Sequence, residues 1–589
     1  LCWANECNSF VEIPIKNSLK TKFIFPLLFF VCSSFHLFAQ VNNWTWARSA
    51  TQTSGYWAEG YSVSVDHAGN TFITGGFHSL NITFGSTTLV NADQTGNTVD
   101  FFIAKYSPNG NVLWAKRAGG TGGDMGYGIN ADAFGNVFVT GYFTGPVTFG
   151  SITLTPFAST DVFIVKYDTN GNVLWAKSAG GNVDEEGYSV SADKFGNVYV
   201  VGSFVSPTIA FGSTTLTNAT SNGGNSDIFI AKYDVNGNVV WAQRAGTPPG
   251  DNAYSVSADV NGNIFVTGMF AGTITFGSFS LTTVGNGWGA FIVKCDSMGN
   301  YLWAKGAGGL DEGGNSVSAD LNGNVFLTGY FVIPTITFGS TTLTNASASN
   351  DDAFIVKYDS TGNMLWAQRV GGTSNDKGYC VSTDRFGNAF VTGGFYSNSI
   401  VLGSNTFNVS SSGSLDHSFI AKYDPNGNVL CASVLTSGGD DNIGVGTDSL
   451  GNAYIGGDFT GPFVVHFVVG SDTLILSGVE DVFVAKYYCD FTNTITENKN
   501  EGIFSIYPNP SNGKFTLNSK ITNGEISPLE SVTICNVLGE IVFQSKINSQ
   551  TTTIDLSDKA SGIYFVNVWV STPSGKTEKE SFTQKIIIR

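Results

Sequence analysis

Charged residues make up only 13% of this chain, about half the share of roughly 25% usual in soluble proteins. Methionine, histidine and cysteine are also scarce, at 4, 5 and 8 of 589 residues. Beyond His36, the histidines His67, His78, His417 and His466 share no spacing that would hold a metal. Helical periodicity is absent, so no Gly-x-Ser-x-Gly segment has a helix to receive it, and nucleophilic catalysis of that kind has no motif. The bases fall short too: 29 Lys+Arg against 46 Asp+Glu give a net charge of −17, which repels phosphate backbones and excludes nucleic acid as a partner. The cysteines, at 2, 7, 32, 295, 380, 431, 489 and 535, form no zinc or disulfide framework. Three of them take apolar repeat positions, so all are expected to act as small hydrophobes.

Glycine (72) and aromatics (13%) are abundant, a composition for many short strands joined by tight turns. Near the start, Lys16, Lys20 and Lys22 precede the apolar run 23–35, and Ala39-Gln40 is the expected cleavage point of a secretory signal. The run is too short to favour a membrane-spanning helix. The first methionine is Met125 and the chain begins with Leu1, so residues 1–15 are expected to precede the true translation start.

The organising feature is repetition. A Phe-Ile-Val-Lys-Tyr-Asp string recurs with its lysine at 105, 166, 232, 294, 357, 422 and 486. It alternates with Asp-x-x-Gly-Asn beginning at 66, 132, 193, 259, 320, 384 and 448. Residues 188–244 read as one unit: four strands joined by Asp-centred turns, with an extra hairpin around Phe211-Gly212-Ser213. A Trp-Ala motif closes five units, at Trp114, Trp175, Trp241, Trp303 and Trp366, and Cys431 takes its place in the sixth. The seventh unit has no fourth strand, yet Asn43–Arg48 carries the motif with no unit before it. The expected fold is therefore all-β: a seven-bladed β-propeller over 40–490, its last blade completed by the N-terminal strand. These residues resemble the bacterial β-propeller repeat family over about 43–488, which implies a fold and no reaction.

After a polar linker at 491–502, residues 503–589 show alternating strands expected to form a small Ig-like β-sandwich. Tyr507-Pro508-Asn509-Pro510 with Gly513, the Asn-Val-Leu-Gly run at Gly539, Gly562 with Tyr564, and the ending with Lys585 resemble the type A sorting domain of the type IX secretion system. That resemblance implies export by that machinery, with release from a Gram-negative cell or display on its outer surface.

Variable loops on a rigid scaffold are the usual place for recognition. Here they lie opposite the constant Asp turns. Seven acids, Glu59, Asp124, Glu185, Asp251, Glu312, Asp376 and Asp440, lead into the innermost strands and are expected to ring the channel mouth. Two readings stay open: a cation site, for which Ca²⁺ suits carboxylate oxygens, or carboxylates that cap the strand starts through backbone N–H groups. No other cofactor is implied. The repeat lysine is expected to pair with the Asp five residues earlier where one is present, as Asp161 with Lys166. The function expected is that of a monomeric binding or adhesion protein for an extracellular glycan or protein. The alternative is a polysaccharide hydrolase or lyase needing two carboxylates across the mouth.

The displaced motif generates a test. Deleting residues 40–50 should unfold or oligomerise the protein, read by size-exclusion chromatography and thermal melting; an unchanged monomeric melt is the opposing result.

Overall fold

The structure is a computed structural model. It describes residues 44–588, apart from 54, 221–223, 286, 348, 410–416, 436–442, 461–465, 470–471, 490–503, 520–528, 537–540, 548, 550 and 572–578. The signal cleavage point Ala39-Gln40, the linker, Asp440 and Gly539 lie outside the described residues.

The described chain is all-β, without helices. Between Trp44 and Tyr487, seven antiparallel sheets of four strands follow one another, each accompanied by a short hairpin. In the unit read above, the strands are Glu185–Ala192, Val198–Phe204, Asp227–Tyr233 and Val239–Ala245, with the hairpin Thr208–Phe211 and Thr214–Thr217. The last sheet runs Gly444–Thr447, Ala453–Thr460, Glu480–Tyr487 and then Trp44–Ser49, so the chain's first described strand lies beside its last repeat strand. The first strand of each sheet packs against the first strand of the next, and Gly444–Thr447 packs against Ala58–Val65.

The turns form as the sequence dictates. In Asp193–Asn197 one carboxylate oxygen of Asp193 accepts the Phe195 and Asn197 N–H groups and the other accepts the Asn197 amide at 2.8 Å. Gly196 supplies φ +81°, which an L side chain rarely adopts. The same geometry recurs at Asp66, Asp132, Asp259, Asp320, Asp384 and Asp448. Second strands are buried along their whole length in three sheets and at all but one residue in the other four, because neighbouring sheets cover both faces.

The repeat lysine does not pair with the acid five residues before it. Successive strand residues alternate in face, so an odd separation puts the two side chains on opposite faces. Lys105 is instead buried against Asp66 of the first turn at 3.4 Å, and Lys422 meets Asp384 at 3.0 Å. Its ammonium stands over the second-strand ring, as Lys105 over Phe72 at 4.7 Å and Lys357 over Phe326 at 4.7 Å. It also donates into the following unit. Lys357 Nζ and Trp366 Nε1 both reach the Pro425 carbonyl, at 3.1 and 3.0 Å. Lys294 and Trp303 likewise share the Ser360 carbonyl, at 3.0 and 3.3 Å. Trp46 makes the equivalent bond from the N-terminal strand, to Pro108 at 3.0 Å.

Two cysteines also depart from expectation. Cys431 and Cys489 form a disulfide with Cα atoms 6.1 Å apart. Cys431 stands at the tryptophan position opposite Lys422, and Cys489 follows Tyr487 by two residues, as Pro425 follows Tyr423 and Ser360 follows Tyr358. The bond therefore joins the two places that an indole N–H and a carbonyl join elsewhere. Sequence spacing did not show it, because the partners meet only when the sixth and seventh sheets pack. Cys295 and Cys380 remain free thiols, as expected of small hydrophobes.

Near the C-terminus, Phe504–Tyr507, Lys514–Ser519 and Thr551–Asp555 form one sheet, and Ile541–Lys546, Leu529–Asn536, Gly562–Ser571 and Lys579–Ile588 a second. Phe515, Leu517, Val532, Ile534, Val566 and Ile586 make their shared core.

The disulfide closes 58 residues, a loop whose cross-linking is worth roughly 4 kcal/mol by chain entropy. Cys431→Ser should lower the urea midpoint accordingly, and reductant should lower the wild type to the same value without moving the variant.

Candidate functional site

The predicted acids occupy the strand starts, but inside the protein. Asp124, Glu185, Asp251, Glu312 and Asp376 show no accessible surface. Four brace the chain that connects one sheet to the next. Glu185 accepts the N–H groups of Gly181 and Ser206 at 2.8 and 3.3 Å. Asp251 accepts those of Thr247 and Ala271. Asp376 accepts the Gly372 N–H and the Ser397 hydroxyl, and Glu312 accepts the N–H of Leu310 at 2.9 Å. This is the arrangement of the capping reading, and no group of three or more metal-ligating side chains forms among the described residues.

Burial is the main cause of their titration. It pushes Glu185, Asp251 and Asp376 up to about 7 and Asp124 up to about 9. Glu312 is raised as well, again mainly by burial. A second carboxylate adds to the shift in most of them, because the first residue of the preceding third strand is also acidic: Asp100 faces Asp124, Asp161 faces Glu185, Asp227 faces Asp251, and Asp352 faces Asp376. These first-row acids carry their own partners, such as Arg117 on Asp100 at 2.8 Å and Arg369 on Asp352 at 2.9 Å.

Glu59 does not belong to this set. Ala58, opposite Phe77, holds the place that Asp124 holds opposite Phe143 and Glu185 holds opposite Phe204. One residue on, Glu59 is half-buried on the other face, in register with Glu186, Asn252 and Lys377.

That second register leads to a site the acid pattern hid. Two residues later come Tyr61, Tyr127, Tyr188, Tyr254 and Tyr379, each half-buried. A local irregularity in pairing accompanies this position in each of these strands. Their rings run from unit to unit: Tyr61 to Tyr127 at 4.9 Å, Tyr127 to Tyr188 at 5.8 Å, and Tyr188 to Tyr254 at 5.7 Å. Tyr142 joins from the second strand, 5.5 Å from Tyr127. Glu186 accepts the Tyr188 hydroxyl at 2.6 Å, and Glu59 accepts that of Tyr61. Burial, reinforced by these carboxylates, raises the phenols of Tyr61, Tyr127 and Tyr188 far above the ordinary range. The arc thus offers aromatic faces beside carboxylate acceptors. Its sequence signal is an aromatic residue repeated three places after the acids, at Tyr127, Tyr188, Tyr254 and Tyr379.

The sorting-motif residues build one junction. Asn509 accepts the Ile587 N–H at 3.0 Å, and Ser511 N–H donates to the Ile587 carbonyl at 2.8 Å, fastening the final strand. Gly513 takes φ +93° where a Cβ would lie 2.5 Å from Ser557. The Tyr564 hydroxyl donates to the Ala560 carbonyl at 2.7 Å, Gly562 pairs with Ile588, and Lys585 sits on the final strand opposite Phe565. Tyr507 is half exposed.

Comparison with known families agrees with these features. Residues 505–589 match the secretion system C-terminal sorting domain, and residues 240–269 match the beta-propeller repeat. The chain carries both modules. The sorting domain indicates export by type IX secretion, to the cell surface or beyond. Among curated proteins, the chain is 27% identical over 487 residues to an uncharacterised WD repeat-containing protein of Acanthamoeba polyphaga mimivirus, covering 67% of this chain and 34% of that one. It is 29% identical over 140 residues to the regulatory protein FlaEY of Caulobacter vibrioides, covering 24% and 14%. The chain thus spans about a third or less of the length of either relative. Among solved structures, the phage phi92 endosialidase aligns at 8% identity over 92% of this chain and 87% of its own, with a TM-score of 0.34.

The raised carboxyls give stability a pH sign. A carboxyl whose folded pKa is raised holds a proton that the unfolded chain has already lost. Its contribution is full below about 4, the ordinary carboxylate range, and is lost as pH climbs to the folded value. Asp124→Asn should leave melting nearly unchanged at pH 4 and raise it increasingly above wild type up to pH 9, since the folded value for Asp124 is about 9. Thermal scans across that range check it.

Proposed function

We propose that the seven sheets are the blades of a closed propeller followed by an Ig-like sorting sandwich, and that the exported propeller is a binding protein for extracellular glycan. The observation that carries this reading is the tyrosine arc: phenol faces at Tyr61, Tyr127, Tyr188 and Tyr254 in ring contact, with Glu59 and Glu186 beside them. Aromatic faces stack on the C–H faces of sugar rings, while carboxylates accept sugar hydroxyls. Tyrosine supplies contact area with little conformational entropy to lose. A net charge of −17 disfavours acidic polysaccharides and leaves neutral or amino sugars.

The arc acts by binding rather than turnover. Its carboxylates are engaged by neighbouring phenols, and the buried acids lie behind the connections between sheets. A free acid and a free base on opposite sides of a substrate are what hydrolysis needs.

A glycan array probed with the mature protein should return neutral or amino-sugar hits. Tyr127→Ala should weaken the strongest of them roughly tenfold or more, as loss of a central aromatic contact does. Equal binding by the variant, or hits confined to sulfated and uronic-acid glycans, would sink this reading.

A further inference from the structure

The fourth sheet, made of Asp251–Ala258, Ile264–Ala271, Trp288–Cys295 and Tyr301–Gly308, breaks the repeat in a coordinated way. Where the first, third and fifth sheets pair an acid with an arginine (Asp100 with Arg117, Asp227 with Arg244, Asp352 with Arg369), the fourth has glycine at both places. Gly289 stands opposite Phe270 as Asp227 stands opposite Phe204, and Gly306 stands opposite Phe291 as Arg244 stands opposite Phe229. A third change lies in the next unit. Ile333 takes the place of Ser206 and Ser397, whose backbone N–H and hydroxyl respectively brace the acid at the strand start. Glu312 has one carboxylate oxygen that is buried and without a hydrogen-bond partner among the described residues, as has Asp376.

These changes rearrange the backbone. At Gly180 and Gly371 the space a Cβ would take is filled by Asp161 and Asp352, and each glycine bridges across to the next hairpin, Gly180 to Ala210 and Gly371 to Val401. Gly120 bridges to Val147 in the same way. With Gly289 in place of the acid, the fourth ladder runs on to pair Gly289 with Gly308. Glu312 swings into the vacated space over Gly308, and among the described residues no bridge joins Gly308 to the hairpin strand Thr335–Phe338, as none joins Gly246 of the third sheet to Thr273–Phe276.

A cavity of about 510 Å³ opens there, within the range of roughly 300–1,000 Å³ of ligand sites. Its apolar lining comes from Phe270, Leu281, Val284, Leu310, Ile333 and Ile336, and among the described residues no charged side chain lines it. Val284 and Leu310 stand exposed, at 79% and 54%. A second cavity of about 240 Å³ also borders Gly306. Two strand edges flank the larger one. Tyr301–Gly308 is the last strand of its sheet, and among the described residues Thr335–Phe338 pairs only with Thr341–Thr344.

We propose that this cleft is a binding site for an extended, neutral polypeptide segment that inserts as a strand and places alternate aliphatic side chains in the cavity. The unbridged hairpin edge supplies backbone groups for a strand to pair with. The uncharged lining excludes acidic and basic segments, since nothing there offsets desolvation of a charge. The site is separate from the tyrosine arc and stands or falls independently of it.

The test restores what the first, third and fifth units have. Fluorophore-labelled acetyl-Thr-Val-Thr-Val-Thr-amide is titrated into the full chain by fluorescence anisotropy, beside the same peptide with proline at its centre. Saturable binding of the first peptide is expected, with at least tenfold weaker binding of the proline peptide, which lacks the central N–H. The double variant Gly289→Asp/Gly306→Arg rebuilds the acid–arginine pair and should lose at least tenfold in affinity while melting no lower than wild type. Leu310→Arg, at the exposed rim, gives a second variant that leaves the fold intact and should also lose binding. No saturation at millimolar peptide, equal binding of the proline peptide, or unchanged affinity in Leu310→Arg would each overturn the proposal.

Discussion

The rest of the structure hangs on a buried lysine. In five of the seven repeats its ammonium is wedged between the carboxylate of the first turn and the ring of the second strand, as Lys422 lies between Asp384 and Phe390. In most units it also donates to a carbonyl of the unit that follows. Desolvation lowers the pKa of Lys166, Lys232, Lys294, Lys357 and Lys486, which measures what the burial costs. The pairing offsets that cost only when every partner is in place. One side chain therefore couples the turn at its own end of the sheet to the turn of its neighbour, and a unit cannot be correctly built beside one that is not. The tryptophan that shares the same carbonyl repeats the coupling with a neutral donor.

The repeat was legible because it is written in turn chemistry. Asp-x-x-Gly-Asn needs a carboxylate acceptor, a positive φ and an amide donor at fixed offsets, and few other residues meet all three demands. The lysine partner was misread for a related reason: spacing along a strand reports proximity without reporting the face, and the true partner, Asp66 for Lys105, lies 39 residues away. The Cys431–Cys489 bond was illegible because it replaces a pair, Trp with a carbonyl, of which only the tryptophan has a sequence signature.

At the candidate site the same limits applied in reverse. The acids at 124, 185, 251, 312 and 376 were found at once, since they recur at one place in the repeat. What the pattern could not show is that Phe143, Phe204 and Phe270 sit opposite them on a fully covered ladder, which decides that they face inward. Glu59 was grouped with them by count, and a single-residue offset moved it to the other face. The glycine pair Gly289 and Gly306 was half visible. The loss of the acid stood out in the repeat, while the loss of the arginine did not, because that position also holds Ser178 and Val434.

The strand Trp44–Ser49 is the first of the described chain to be synthesised, yet its pairing partner ends at Tyr487, more than 430 residues later. Until that partner exists, the strand has one unsatisfied edge and the growing end has another. A product cut short by interrupted synthesis or a protease keeps both. Completeness of the chain is thus read out as the disappearance of two exposed edges. The fold inspects its own length: only a full set of repeats pairs Trp44–Ser49 with Glu480–Tyr487.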